Sequence, residues 1–137
     1  MFFIYNKEPN KNEFFTKVAA LLIHAAKIDE NFSKEEGEII KQALIKIGAK
    51  KDQVDKIINE GKIIEENSNQ ILNFTREVKN MDEKNKIKII ESLWQIIYSN
   101  KDADIYETNL MRRLAGLLYI DNKIMGDIKD RIKKENS

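Results

Sequence analysis

The chain has no cysteine, one proline and five glycines in 137 residues. The lack of cysteine excludes disulfides and thiolate metal sites and fits a reducing compartment. With so few breakers, and with Lys, Glu, Ile and Leu abundant, helices meet little local resistance. An excess of one charge is missing as well: lysine and arginine number 24, aspartate and glutamate 23, for a net charge of +1. Composition therefore makes no case for nucleic acid as a partner. Long apolar runs are also absent. The opening Met1-Phe2-Phe3-Ile4-Tyr5 is followed at once by Lys7, Glu8 and Lys11, and the later run from Val18 to Ile23 is scarcely longer. Neither approaches the roughly 20 residues of a membrane span, and the first is not a signal h-region. A cytoplasmic protein is expected. Its opening aromatic residues would cap the core or dock on a partner. No Gly-rich phosphate loop exists, and one histidine, His24, cannot by itself build a zinc site.

What is present is 34% charged and 42% apolar residues, over a length that suits one domain with a real core. Two stretches share a layout without a gap: Ala26 to Glu36, and Tyr98 to Glu107. In each an apolar run leads into a polar turn that opens on Asp29 or Asn100. A capping type of residue follows, Ser33 or Asp104, and three positions later stands Glu36 or Glu107. This is the capping box or close to it, so each stretch reads as helix, acidic turn, helix. The constant offset marks an internal repeat and predicts two halves related by a pseudo-twofold.

The periodicity predicts an all-α fold of about seven helices. Helix 1 is expected from about Asn12 to Ile28, with Phe14, Phe15, Val18, Ala19, Leu22 and Ala26 on one stripe. Helix 2, capped by Ser33, carries Ile39, Ile40, Ala43, Leu44 and Ile47 and ends at Gly48 as C′. Helix 3 is expected over Lys51 to Glu65, with Val54, Ile57, Ile58 and Ile64 inward and a kink or break possible at Gly61. Asn67-Ser68-Asn69 is the expected boundary between halves. Helix 4 follows over Asn69 to Lys79, then helix 5 from an Asp82 cap to Ser99, with Ile87, Ile90, Leu93, Trp94 and Ile97. Helix 6 starts at Asp104, buries Leu110, Leu114, Leu117 and Leu118, and ends near Tyr119. Asp121 caps helix 7, whose inner stripe is Ile124, Met125, Ile128 and Ile132. No stretch of any length alternates at period two, so no strand is assigned. Residues 1–11 read as an N-terminal segment and 12–134 as a single helical domain.

The acidic turns carry the functional reading. Ser33 and Asp104 are most simply caps, and Glu36 and Glu107 sit where the helix dipole favours a carboxylate. Asp29 and Glu36 would nevertheless converge across a helical hairpin, and converging carboxylates repel unless a cation lies between them. Oxygen donors of this kind suit Ca²⁺ or Mg²⁺. Both turns mimic the first three ligand positions of an EF-hand. However, Lys34 and Ile105 stand where that loop needs Gly, and Ile40 and Met111 where it needs Glu, so an EF-hand is rejected.

The run Ala19-Ala20-Leu21-Leu22-Ile23, followed by Asp29 through Glu36, resembles the first block of the TerB-like tellurite-resistance family. The run Leu93 to Asn100, followed by Tyr106-Glu107-Thr108-Asn109-Leu110-Met111-Arg112-Arg113-Leu114-Ala115, resembles the second and more distinctive block. The resemblance covers roughly residues 14 to 133. It implies an all-helical fold of about seven helices with an internal twofold, acidic turns proposed to bind metal, and a link to tellurite and stress response. Carried over by position, the implied metal site is Asp29, Glu36, Asn100 and Glu107. One departure matters. The family's second turn usually reads Ala-Asp-Gly, whereas here it is Ser99-Asn100-Lys101. Asn100 brings an amide oxygen without charge and Lys101 adds a cation, which predicts weaker affinity or a shift onto Asp102 or Asp104.

Catalysis finds no constellation. Ser33, His24 and Asp29 name the members of a triad, but Ser33 already has a capping role and the spacing does not support a nucleophile. His24, among Leu22, Ile23 and Ala25, is expected to be tucked against the helix rather than to bind a metal. Adjacent Arg112 and Arg113 point to different faces. Trp94 is expected to wedge between the halves, the alternative being an exposed aromatic at a partner surface. The reading is a non-enzymatic module that binds a divalent cation or a protein partner. The alternative is an interaction module whose acidic turns are only caps.

Overall fold

A computed structural model describes residues 11–27, 34–68, 72–99 and 105–135. These residues form seven helices and no strand: α1 Lys11–Ala26, α2 Lys34–Lys46, α3 Val54–Glu66, α4 Leu72–Lys79, α5 Glu83–Ser99, α6 Ile105–Leu117 and α7 Asn122–Glu135. The all-helical expectation holds. The N-terminal aromatic residues, and the expected starts of helix 4 at Asn69 and helix 6 at Asp104, lie outside the described residues.

The bundle is arranged around α1. From Val18 to Ala26 every residue but His24 is buried, so this helix presents apolar surface nearly all the way round rather than on one stripe. The reason is tertiary: α1 packs against α2, α3, α4 and α5. The second half has its own pairing, α5 on α7, which matches α1 on α3 in the first. The core completes itself with Ile40 and Leu44 of α2, Val54 and Ile57 of α3, Phe74 and Val78 of α4, Ile90 and Leu93 of α5, Leu114 of α6, and Ile128 and Ile132 of α7.

Two expectations about α3 change. The helix starts at Val54, not Lys51, because the three preceding residues form a turn in which the Gln53 N–H donates to the Lys50 carbonyl at 2.9 Å. It also runs unbroken through Gly61. This glycine is a contact device. A Cβ there would lie 2.9 Å from Ala19 Cβ, 3.2 Å from the Ala20 nitrogen and 3.3 Å from the Thr16 carbonyl oxygen. The missing side chain lets α3 lie against the alanine-rich face of α1. Ala19 and Ala20 face it.

α2 and α6 end alike. At α2 the Gly48 N–H donates to the Ile45 carbonyl at 3.0 Å and the Ala49 N–H to that of Leu44 at 2.9 Å. At α6 the Tyr119 N–H donates to the Gly116 carbonyl at 3.3 Å and the Ile120 N–H to that of Ala115 at 2.9 Å. Both are Schellman motifs, with the C′ residue in the left-handed region. Gly48, at φ +116°, fills the C′ position as expected, whereas at α6 the residue is Tyr119, at φ 56°. Both helices are 13 residues long, and their starts are separated by the same offset as Gly48 and Tyr119. Two lysines of α5 cover these ends. Lys86 Nζ donates to the Leu118 carbonyl at 2.8 Å and Lys88 Nζ to that of Lys46 at 3.4 Å. Cations there satisfy orphan carbonyls and complement the helix dipole. Asp121 caps α7 as expected, its Oδ1 accepting the Lys123 N–H at 2.7 Å.

Gly61→Ala gains about 1 kcal/mol of helix propensity but forces the α1–α3 contact apart. The expected net result in urea denaturation is a loss of about 1–3 kcal/mol, the range of core overpacking. At the two helix ends, Gly48→Ala should cost about 1–2 kcal/mol for a strained backbone. Tyr119→Ala keeps the same backbone cost and loses only the ring beneath Lys79 Nζ, 4.8 Å from its centroid, so it should cost less than about 1 kcal/mol.

Candidate functional site

The start of α2 carries Glu35 and Glu36 in its first turn. Glu35 is exposed, whereas Glu36 is only 3% exposed. A carboxylate that merely complements the dipole has no need to leave water, and burying a charge is costly unless it is paired or hydrogen-bonded. Glu36 is thus an engaged group at the edge of the first acidic turn. Glu107 is the third residue of α6, as Glu36 is of α2. Asp29, Asn100, the Glu107 side chain, and the caps Ser33 and Asp104 lie outside the described residues, as do Asp102 and Lys101. Among the described residues, no group of three or more His, Asp and Glu side chains is placed to hold a metal ion.

The other end of the first turn is entered from α1, where a charged cluster forms that sequence reasoning did not identify. α3 turns Val54, Ile57, Gly61 and Glu65 inward. One helical turn beyond the Gly61 contact, the Glu65 carboxylate meets α1. Its Oε1 accepts from Lys27 Nζ at 2.7 Å, and its Oε2 lies 3.2 Å from His24 Nδ1. The Glu65 side chain is 10% exposed and that of Lys27 is 42% exposed. The hydrogen bond to Glu65 holds the Lys27 ammonium above the usual lysine range. Partial desolvation opposes it, and the charges of Glu65 and Glu66 add to it. His24 thus takes part in the Glu65 cluster through Nδ1, with its side chain 37% exposed. The available signal for Glu65 was a Glu on the core-facing stripe of a helix, which is rare without a partner.

Trp94 is 3% exposed, which overturns the alternative of an exposed aromatic at a partner surface. Its ring stacks on Tyr98 at 5.8 Å between centroids and lies beneath Lys129 Nζ at 5.6 Å, both in the second half of the chain. Its Nε1 is buried with no hydrogen-bond partner among the described residues, a cost of about 1–3 kcal/mol that the packing of the ring must offset. Burial pushes the Tyr98 phenol above tyrosine's ordinary value of 10.0, and the Asp130 charge adds to this. Arg112 and Arg113 are both exposed.

The family model described as tellurite resistance protein TerB matches residues 15–130. The chain belongs to the TerB family. No curated protein and no solved structure matches it. The TerB match begins in the second turn of α1 and ends inside α7, so it reaches all seven helices and includes both turn blocks. Membership accounts for the helical architecture and for the resemblance of the two turn blocks. Among the described residues, no helix is long and apolar enough to cross a membrane.

The raised Tyr98 pKa gives this TerB-family chain a signature in alkali. A phenol whose folded pKa lies above its unfolded value stabilises the fold fully below about pH 10, and that contribution is lost as pH rises through the folded pKa. Tyrosinate absorbance should therefore show a step above pH 10.0 that is missing in Tyr98→Phe. The variant should also lose less stability than the parent over that interval.

Proposed function

We propose that this TerB-family chain is a non-enzymatic, cytoplasmic module that takes up a divalent cation, Ca²⁺ or Mg²⁺, at its acidic helix junctions. The donors are Asp29, Glu36, Asn100 and Glu107, and the setting is tellurite or stress response. The burial of Glu36 carries the reading: a carboxylate at 3% exposure beside an acidic turn is held for more than a dipole contact. Carboxylate and amide oxygens without thiolate or imidazole suit a hard cation and not zinc or copper. The matched lengths and matched ends of α2 and α6, and the like pairing of α1 with α3 and α5 with α7, support two equivalent halves, each contributing one turn. On this reading the bound cation offsets the repulsion between the donor carboxylates.

A second reading, a protein-interaction module, has its own observation. Ile63 is 59% exposed and borders an open cleft of about 450 Å³, lined also by Ile64, Phe74, Lys17 and Arg76. An exposed aliphatic side chain beside basic groups suits an acidic, partly apolar partner segment.

Calorimetric titration with Ca²⁺, Mg²⁺ and Mn²⁺, together with melting curves, separates the two readings. Cation uptake predicts saturable heat and a stabilisation of about 2.7 kcal/mol at one hundred times Kd. Asp29→Asn should abolish most of it. Asp55→Asn, at an α3 carboxylate 82% exposed, should leave it intact. No heat and no melting shift with any of the three ions would leave the interaction module as the function.

A further inference from the structure

We propose that the exposed face of α6 and its end, carrying Arg112, Arg113 and Tyr119, docks into the acidic cleft between α2, α5 and α7 of a second copy of this chain, so that the protein associates head to tail. This association needs no cation and no residue of the donor set above.

The α6 face gives up local stability without gain inside the chain. Helix geometry puts Asn109, Arg112, Arg113 and Gly116 on one side, and all four are exposed. Leu110, Met111, Leu114 and Ala115 are buried on the other. A Cβ at Gly116 would meet nothing within 4 Å, so packing does not require a glycine there, although glycine weakens a helix. Tyr119 follows at C′. Gly48, its counterpart at the end of α2, takes the left-handed backbone freely, whereas a tyrosine at φ 56° is strained. Burial does not offset that strain, because Tyr119 is 71% exposed. A strained and exposed aromatic residue is explained by what approaches it from outside.

The same face is cationic. Arg112 and Arg113 take part in no hydrogen bond or ion pair among the described residues. Lys79 lies over the Tyr119 ring, and Lys86 Nζ donates to the Leu118 carbonyl. The carboxylate of Asp121, two positions beyond Tyr119, already accepts the Lys123 N–H. Tyrosine and arginine are enriched at the centre of protein interfaces, and the planar guanidinium pairs with a carboxylate through two bonds.

The counterpart is on the same molecule. An open cleft of about 380 Å³ is lined by Glu35, Glu38 and Ile39 of α2, Gln95 of α5 and Glu135 of α7, with Lys46 the one cation among its lining residues. Glu35 is exposed and unpaired among the described residues. Glu38 accepts from Gln42 at 3.1 Å, and the Arg131 guanidinium stands 3.9 Å from Glu135. Among the described residues no three acidic side chains are placed to hold one metal ion, so these carboxylates are separate acceptors. A projecting arginine pair with a tyrosine matches the cleft in charge and in shape. At a net charge of +1, two copies feel little overall repulsion. The two surfaces differ, so the contact is heterologous and can repeat from copy to copy.

Sedimentation equilibrium over a concentration series, without added metal, tests the pairing. The parent should show a mass that rises with concentration. Raising salt from about 0.1 M to about 1 M shortens the screening length from about 10 Å to about 3 Å and should weaken association. Arg112→Glu with Arg113→Glu, and separately Glu38→Lys with Glu135→Lys, should each weaken it at least about tenfold. Mixed together, these two variants should form a one-to-one dimer and nothing larger, because each retains the surface that the other has lost. Gly116→Leu should melt no lower than the parent yet associate as weakly as the charge variants, which separates blocked docking from a folding defect. A parent that stays monomeric at every concentration overturns the proposal and leaves the face for an acidic segment of another protein. Association lost in the arginine variant but kept in the glutamate variant means that α6 pairs with α6, and overturns it too. So does a mixture of the two variants that stays monomeric.

Discussion

The approach of α3 to α1 is the constraint on which the rest of the structure depends. Two helices come to backbone contact only where side chains are small, and here Gly61 meets Ala19, Ala20 and the Thr16 carbonyl. That contact covers one side of a helix whose other sides are covered by α2, α4 and α5. α1 can therefore be apolar nearly all round from Val18 to Ala26 without exposing apolar surface to water. The same contact determines how far along α1 a side chain of α3 can reach, and so brings Glu65 to His24 and Lys27. A core contact and a charged cluster at the end of α1 both follow from one missing methyl group.

The second organising feature is the treatment of helix ends. α2 and α6 close with the same hydrogen-bond pattern, and lysines of α5 cover both. One end uses glycine for the left-handed residue, the other a tyrosine under a lysine ammonium. At its start α2 carries Glu35 and Glu36. Among the described residues, the buried polar and charged side chains are Thr16, Glu36, Glu65, Thr75 and Ser92.

Much of this was legible in the order of the residues. Stripes such as Ile40-Ala43-Leu44 and Met125-Ile128-Ile132 identify buried faces, because a helix returns to the same side every three to four positions. Gly48 and Asp121 act where capping chemistry places them. Gly61 was read as a weak point because propensity describes an isolated helix, and its value lies in a neighbour 42 positions earlier in the chain, Ala19. Lys51, Asp52 and Gln53 have ordinary helix propensities, yet the backbone uses them for a turn after the α2 end. The partners of Glu65 could not be read from the sequence, since they come from a segment that local sequence does not connect to it.

By itself the sequence determined the class of the protein: seven helical stretches, few breakers and a family resemblance carried by two blocks of residues. These are properties of neighbours along the chain, for which periodicity and capping suffice. Tertiary structure alone decided which charges are buried, which glycine is indispensable and where Trp94 lies. Each depends on which surfaces meet, and a contact between residues tens of positions apart has no local signature. Glu36 and Glu65 differ from the exposed acids beside them only in what covers them.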